Sequence, residues 1–74
     1  MNEAQKKKVE KILDTCRELA NQIEEIQSDV QEAIDNCPEN LQSSEAQSLR
    51  EDQVGFLQDA VDHLANVDDA LSSI

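Results

Sequence analysis

The apolar residues in the first half of the chain recur at one interval. Val9, Ile12, Cys16, Leu19, Ile23, Ile26, Val30, Ala33 and Cys37 are separated by alternating steps of three and four. This is heptad spacing, with Val9, Cys16, Ile23, Val30 and Cys37 in one row and Ile12, Leu19, Ile26 and Ala33 in the next. Leu13, Ala20 and Ile34 widen the stripe on one side. A stripe this wide suits the interior of a bundle better than contact with one helix. The positions between are largely Glu, Gln, Asp, Asn and Lys, as a solvated surface requires. Asn2, followed three residues later by Gln5, has the form of a capping pair. The pattern predicts a first helix over about residues 3–36.

The interruption comes at "DNCPENLQSSEA". Cys37 precedes Pro38, and a residue before proline is pushed away from helical angles. Pro38 lacks the N–H that a helix interior needs but fits a first helical position. "PENLQ" is therefore read as a short turn of helix, with Leu41 as an apolar anchor folded over the end of the bundle. Ser43 or Ser44 can cap a new helix, and Glu45 in its first turn suits the helix dipole. The turn is placed at about residues 37–43 and the second helix at about residues 44–73.

In that second helix Leu57, Ala60, Leu64, Val67, Leu71 and Ile74 resume the alternating steps. Arg50 and Gln53 stand where this seam extrapolates backward, so the first turns are expected to be looser. Gly55 falls on the outer face, at a cost of about 1 kcal/mol relative to Ala.

Two long helices joined by so short a break make an antiparallel hairpin the default. Charge favours the same arrangement. Residues 1–17 carry five bases (Lys6, Lys7, Lys8, Lys11, Arg17) against three acids, a net +2. Residues 18–74 carry fourteen acids and Arg50 alone, a net −13. Folding back sets the basic start beside Asp59, Asp62, Asp68 and Asp69.

The fold expected is therefore all-α, a coiled-coil-like antiparallel helical hairpin in a single domain. Phe56 is the one aromatic residue in 74, and a chain this short without aromatic bulk is expected to complete its core by pairing. A homodimer forming a four-helix bundle is the expected state. Its candidate core is Ile12, Cys16, Leu19, Ile23, Ile26, Val30, Leu57, Val61, Leu64 and Leu71.

Composition also narrows the functions. A net charge of −11 repels nucleic acid and anionic membranes and attracts basic surfaces. No apolar run approaches the roughly 18 residues of a membrane span. "MNEAQKKKVEK" has no apolar stretch behind its lysines, so no secretory signal is expected, and a cytoplasmic setting is. Cys16 and Cys37 on one helix would lie roughly 30 Å apart, whereas a disulfide needs Cα atoms within about 7 Å. Two reduced thiols are expected. With one His, one Gly and no Tyr or Trp, neither a catalytic set nor a phosphate loop can be assembled. No Glu-x-x-His pair or calcium loop is present, so no metal or other cofactor is expected. His63 reads as a residue flanking the seam.

What remains distinctive is the acid around the turn. Glu24, Glu25, Asp29, Glu32 and Asp35 precede it, and Glu39, Glu45, Glu51 and Asp52 follow. A solvated face explains such a run, and so does a docking surface for a basic groove. The candidate partner-binding residues are Glu32, Asp35, Asn36, Glu39, Asn40, Leu41, Glu45, Glu51 and Asp52.

The same region carries a resemblance. Glu24, Glu25, Ile26, Gln31, Glu32, Ala33, Asp35, Asn36, Pro38, Glu39, Leu41, Gln42, Ser44 and Glu45 follow a pattern similar to E-E-I-x-x-x-x-Q-E-A-x-D-N-x-P-E-x-L-Q-x-S-E. It resembles that of small, acidic, two-helix proteins from phages and prophages of Gram-positive bacteria. The resemblance implies an origin and the two-helix fold, and brings no activity with it. The function expected is a phage-type interaction protein that binds and inhibits a host protein with a basic or shape-matched surface, such as an anti-phage defence component. A structural assembly accessory and a nucleic-acid mimic that blocks a basic groove are the alternatives.

Overall fold

In the computed structural model, which describes residues 1–74, helix α1 spans Glu3–Asp35 and helix α2 spans Glu45–Ser72. A single 3₁₀ turn, Glu39–Leu41, lies between them. The chain is an all-α antiparallel hairpin measuring 60 × 15 × 12 Å. Neither helix is long and apolar enough to cross a membrane.

Both helices begin where a side chain satisfies the first free N–H groups. Asn2 Oδ1 accepts from the Gln5 N–H at 2.8 Å, and Gln5 Oε1 accepts from the Asn2 N–H at 3.1 Å, which completes a reciprocal box. Ser44 Oγ accepts from the Gln47 N–H at 3.2 Å.

Packing selects one side of the wide stripe. On α1 the half-buried residues are Val9, Leu13, Cys16, Ala20, Ile23, Gln27, Val30 and Ile34. The row that was expected only to widen the seam is thus part of the contact with α2. The row holding Ile12, Leu19, Ile26 and Ala33 is exposed. On α2 the inward residues are Gln47, Arg50, Val54, Leu57, Val61, Leu64, Asp68 and Leu71, again in steps of three and four. This corrects the seam read through Ala60, Val67 and Ile74: Ala60 is half-buried, and Val67 and Ile74 are exposed. Of the ten candidate core residues, Cys16, Ile23, Val30, Leu57, Val61, Leu64 and Leu71 meet between the helices, and Ile12, Leu19 and Ile26 do not. No apolar side chain is fully buried.

The hairpin therefore has two unlike flanks. One is polar and ties the helices together. Arg17 donates to Asp68 at 2.8 Å and 3.4 Å, and Gln27 Nε2 donates to Gln58 Oε1 at 3.0 Å and to the Val54 carbonyl at 3.3 Å. The opposite flank is apolar: Ile26 and Val30 line one shallow groove with Gln53, Phe56 and Leu57. Phe56 is 72% exposed there.

The charge pairing is narrower than expected. Arg17–Asp68 is the one salt bridge between helices. Lys6 reaches only Glu3, at 3.9 Å on its own helix, and Lys7, Lys8 and Lys11 have no carboxylate partner. The Arg17 hydrogen bond holds the Asp68 carboxyl below its ordinary value of 3.8 and raises the Arg17 pKa. A carboxylate with a lowered pKa stabilises the fold above its unfolded-state value, and this contribution is lost as pH falls through the folded-state value. The Tm of the wild type is therefore expected to exceed that of Asp68→Asn at pH 7, with the gap closing as pH falls below 3.8. Equal Tm values at pH 7, followed by circular dichroism, would show that the bridge contributes nothing.

Gly55 is helical and exposed, and an added Cβ would meet nothing within 4 Å. Gly55→Ala is expected to stabilise by about 1 kcal/mol, raising Tm by about 4–8 °C. Unchanged thermal melts would contradict the open site.

Candidate functional site

The turn end is where acid, shape and exposed backbone coincide. Helix α1 stops at Asn36, whose backbone (φ −90°, ψ 3°) stays on the right-handed side. Its N–H still donates to the Glu32 carbonyl at 3.0 Å, and the Cys37 N–H donates to the Ile34 carbonyl at 3.2 Å. Pro38 then turns extended (φ −56°, ψ 144°), an angle that proline favours. The Leu41 N–H closes on the Pro38 carbonyl at 2.9 Å, and the Ser44 N–H on the Leu41 carbonyl at 3.1 Å. No residue has a positive φ. That is why the turn needs no glycine.

Leu41 is not the plug that its apolar character suggested. It is 48% exposed at the tip. The residue that closes this end is Gln47, 3% exposed and the one buried residue of the chain. Its Nε2 donates across the hairpin to the Ile34 carbonyl at 3.1 Å, and its Oε1 faces Arg50 Nη1 at 3.5 Å. A carbonyl in the last turn of α1 has no i+4 helical N–H to bond it, so the Gln47 amide from α2 supplies a second partner beside the Cys37 N–H. Sequence reasoning missed this residue. Its signal was position: Gln47 stands one heptad before Val54 and two before Val61.

All nine candidate partner-binding residues are exposed. Glu32 and Asp35 line a polar groove on the flank of α1 with Glu24, Gln27, Ser28 and Gln31, against Val54 and Gln58 of α2. Asp35 also accepts from Gln31 Nε2 at 3.0 Å. Asn36 caps α1, and Glu39, Asn40 and Leu41 form the tip. Glu45 opens α2, and Glu51 and Asp52 lie about two turns further on. The residues thus form a cap around one end rather than a single converging pocket.

Residues 24–52 hold nine acids and one base, a net −8. That base, Arg50, is half-buried and turned toward Gln47, so the acids have no cationic partner at this end. Two of them also stand where a helix disfavours them. Glu32 and Asp35 belong to the last turn of α1, beside the negative end of its dipole, and that turn has no basic residue. Glu45, in the first turn of α2, is favourably placed.

No group of three or more His, Cys, Asp or Glu side chains is placed to hold a metal ion. Cys16 and Cys37 are free, half-buried thiols, and His63 is exposed. The arrangement offers carboxylates, amides and a tip whose backbone is closed by the Leu41 and Ser44 N–H bonds. It defines the chain as an acidic all-α hairpin. Among known proteins, no family model, curated protein or solved structure matches it.

Proposed function

We propose that this chain is a small acidic interaction protein of phage type, acting in the cytoplasm of a bacterial host, where its turn end binds and inhibits a host protein with a basic surface. One observation carries the reading: acids crowd the turn end although nothing pairs with them and the α1 dipole opposes two of them. Acids scattered for solubility alone would not need those positions. The phage-type assignment is supported by the turn pattern, and inhibition is the simplest effect of a compact binder without catalytic groups.

The test is capture from a Gram-positive host lysate with tagged wild type and with Asp35→Asn/Glu39→Gln/Glu45→Gln. The expected result is a basic protein held by the wild type and bound at least about tenfold more weakly by the variant. Equal capture by both would overturn the reading. Asp35→Asn alone adds an independent sign. It removes a charge opposed by the helix dipole, so it is expected to stabilise the hairpin by about 0.3–1 kcal/mol while weakening capture. A variant that loses stability and keeps its partner would contradict both halves of that prediction. If binding vanishes between about 0.1 and 0.5 M salt, the contact is charge alone, as in mimicry of a nucleic acid. Persistence in salt indicates recognition of the tip's shape.

A further inference from the structure

The apolar flank points to a second partner, independent of whatever the turn end binds. Ile12, Leu19 and Ile26 on α1 are 48%, 43% and 53% exposed, and Phe56 and Val67 are exposed on α2. The Ile26–Phe56 groove places the two rows on one face. This face requires a cover, because the hairpin alone buries no apolar side chain completely.

We propose that the cover is a second copy of this chain, stacked face to face with α1 antiparallel to α1 and α2 antiparallel to α2, on a two-fold axis that passes level with Leu19. Three observations select a copy of the same chain in this orientation.

The first is charge. The row bordering the α1 stripe holds Lys8, Thr15, Gln22 and Asp29, one per heptad, running from cation through neutral residues to anion. Lys8 and Thr15 adjoin Ile12 on the surface. Reversed against itself, this row sets Lys8 opposite Asp29 of the second copy and Thr15 opposite Gln22. Aligned in parallel, it sets like charge on like charge.

The second is the symmetry of the stripes. Ile12 and Ile26 are centred on Leu19, and Lys8 and Asp29 are centred between Glu18 and Leu19. Leu19 is itself the midpoint of α1, Glu3–Asp35. On α2, Ala60 and Ala70, and His63 and Val67, are each centred on Ala65. One axis can serve both helices only if the two centres lie at the same height. The bonds Arg17–Asp68 and Gln27–Gln58 fix the register and put Leu19 level with Asn66, one residue from that centre.

The third is area. The outline of this side of the hairpin, 60 Å by 15 Å, bounds the face at about 900 Å², which leaves room for the ~800 Å² per partner of a standard stable interface.

Sedimentation equilibrium and paired substitutions test the arrangement. Wild type is expected to be a dimer, and Leu19→Lys, which brings two cations together at the axis, is expected to raise the dimer Kd by about 100-fold or more. Lys8→Asp and Asp29→Lys should each weaken it several-fold, and the double variant should restore it. Lys8 and Asp29 are about 30 Å apart along one helix, so restoration can arise only between copies. In a Cys16→Ser/Cys37→Ser background, copper-phenanthroline should join Leu19→Cys to itself, and Ile12→Cys only to Ile26→Cys. A monomer at about 100 μM, a dimer indifferent to Leu19→Lys, a double variant no better than either single one, or Ile12→Cys joined to itself would each overturn the proposal. Should Leu19→Lys fail to fold, judged by circular dichroism, the charge exchange and the cross-links still decide it. Leu19 lies outside residues 24–52, so loss of the dimer in Leu19→Lys and loss of partner capture are separate results.

Discussion

Gln47→Glu is expected to be the most damaging isosteric change in this chain. The substitution keeps the shape and replaces an N–H donor with a carboxylate oxygen. At this position the Gln47 Nε2 lies 3.1 Å from the Ile34 carbonyl, in the one buried side chain of the protein. The variant would set a negative oxygen against a carbonyl oxygen with little water between them. Arg50, at 3.5 Å from the opposite amide oxygen, offsets part of that cost. A loss of about 2–3 kcal/mol is expected, lowering Tm by more than about 10 °C. Gln47→Ala, which only removes the bond, should cost less, about 1–2 kcal/mol. The two differ in their pH response. A carboxyl in this position is pushed up in pKa by burial and by the facing carbonyl, so its penalty is present at neutral pH and recedes as pH falls. Relative to Gln47→Ala, the Gln47→Glu variant should gain stability on acidification, as its protonated O–H can donate to Ile34. Thermal melts at pH 7 and pH 4 check this. A Gln47→Glu variant as stable as the wild type at pH 7 would mean that Gln47 closes the turn by shape alone.

Leu57→Ala and Phe56→Ser should differ sharply although the residues are neighbours. Leu57 sits between the helices, and Phe56 is 72% exposed on the apolar flank. Truncating Leu57 removes contacts with α1 and is expected to cost about 2 kcal/mol, less than a fully buried Leu because this one is only half-buried. Each kcal/mol corresponds to about 4–8 °C in a domain of this size. Phe56→Ser should leave the melting of a dilute sample close to that of the wild type and lose the concentration dependence that the proposed dimer would give the wild-type Tm. The reverse ranking in dilute solution would place the seam on the wrong side of α2.

Much of this architecture is legible in the residues. Asn2 with Gln5 marks one helix start and a serine at 43 or 44 marks the other, because a capping side chain solves a local problem. Pro38 breaks the helix for an equally local reason. The direction of packing is not local. Three adjacent rows of α1 are apolar, and any neighbouring pair of rows could face α2. Regular apolar spacing favoured the pair containing Ile12, Leu19 and Ile26. The structure uses the pair containing Leu13, Ala20 and Gln27, a choice tied to Arg17 meeting Asp68 and Gln27 meeting Gln58 on the polar flank. Those ties depend on both helices at once, and no window of one helix displays them. Gln47 was missed for the same reason. A glutamine on an apolar stripe reads as a lapse until the Ile34 carbonyl is set opposite it. The candidate turn-end residues were legible as an acidic cluster, whereas their lack of cationic partners depends on where Arg50 turns.

The tip's backbone, with every φ negative, has a consequence for how this chain can change. A turn that relied on left-handed angles would tie its residues to glycine or asparagine. Here the positions from Glu39 to Ser43 use conformations open to any ordinary amino acid, and proline excepted, each can be exchanged without backbone strain. Pro38 and Gln47 hold the loop's shape from either side of it. Lettering and scaffold are therefore separate: a lineage could rewrite the tip one residue at a time and keep the same hairpin beneath it.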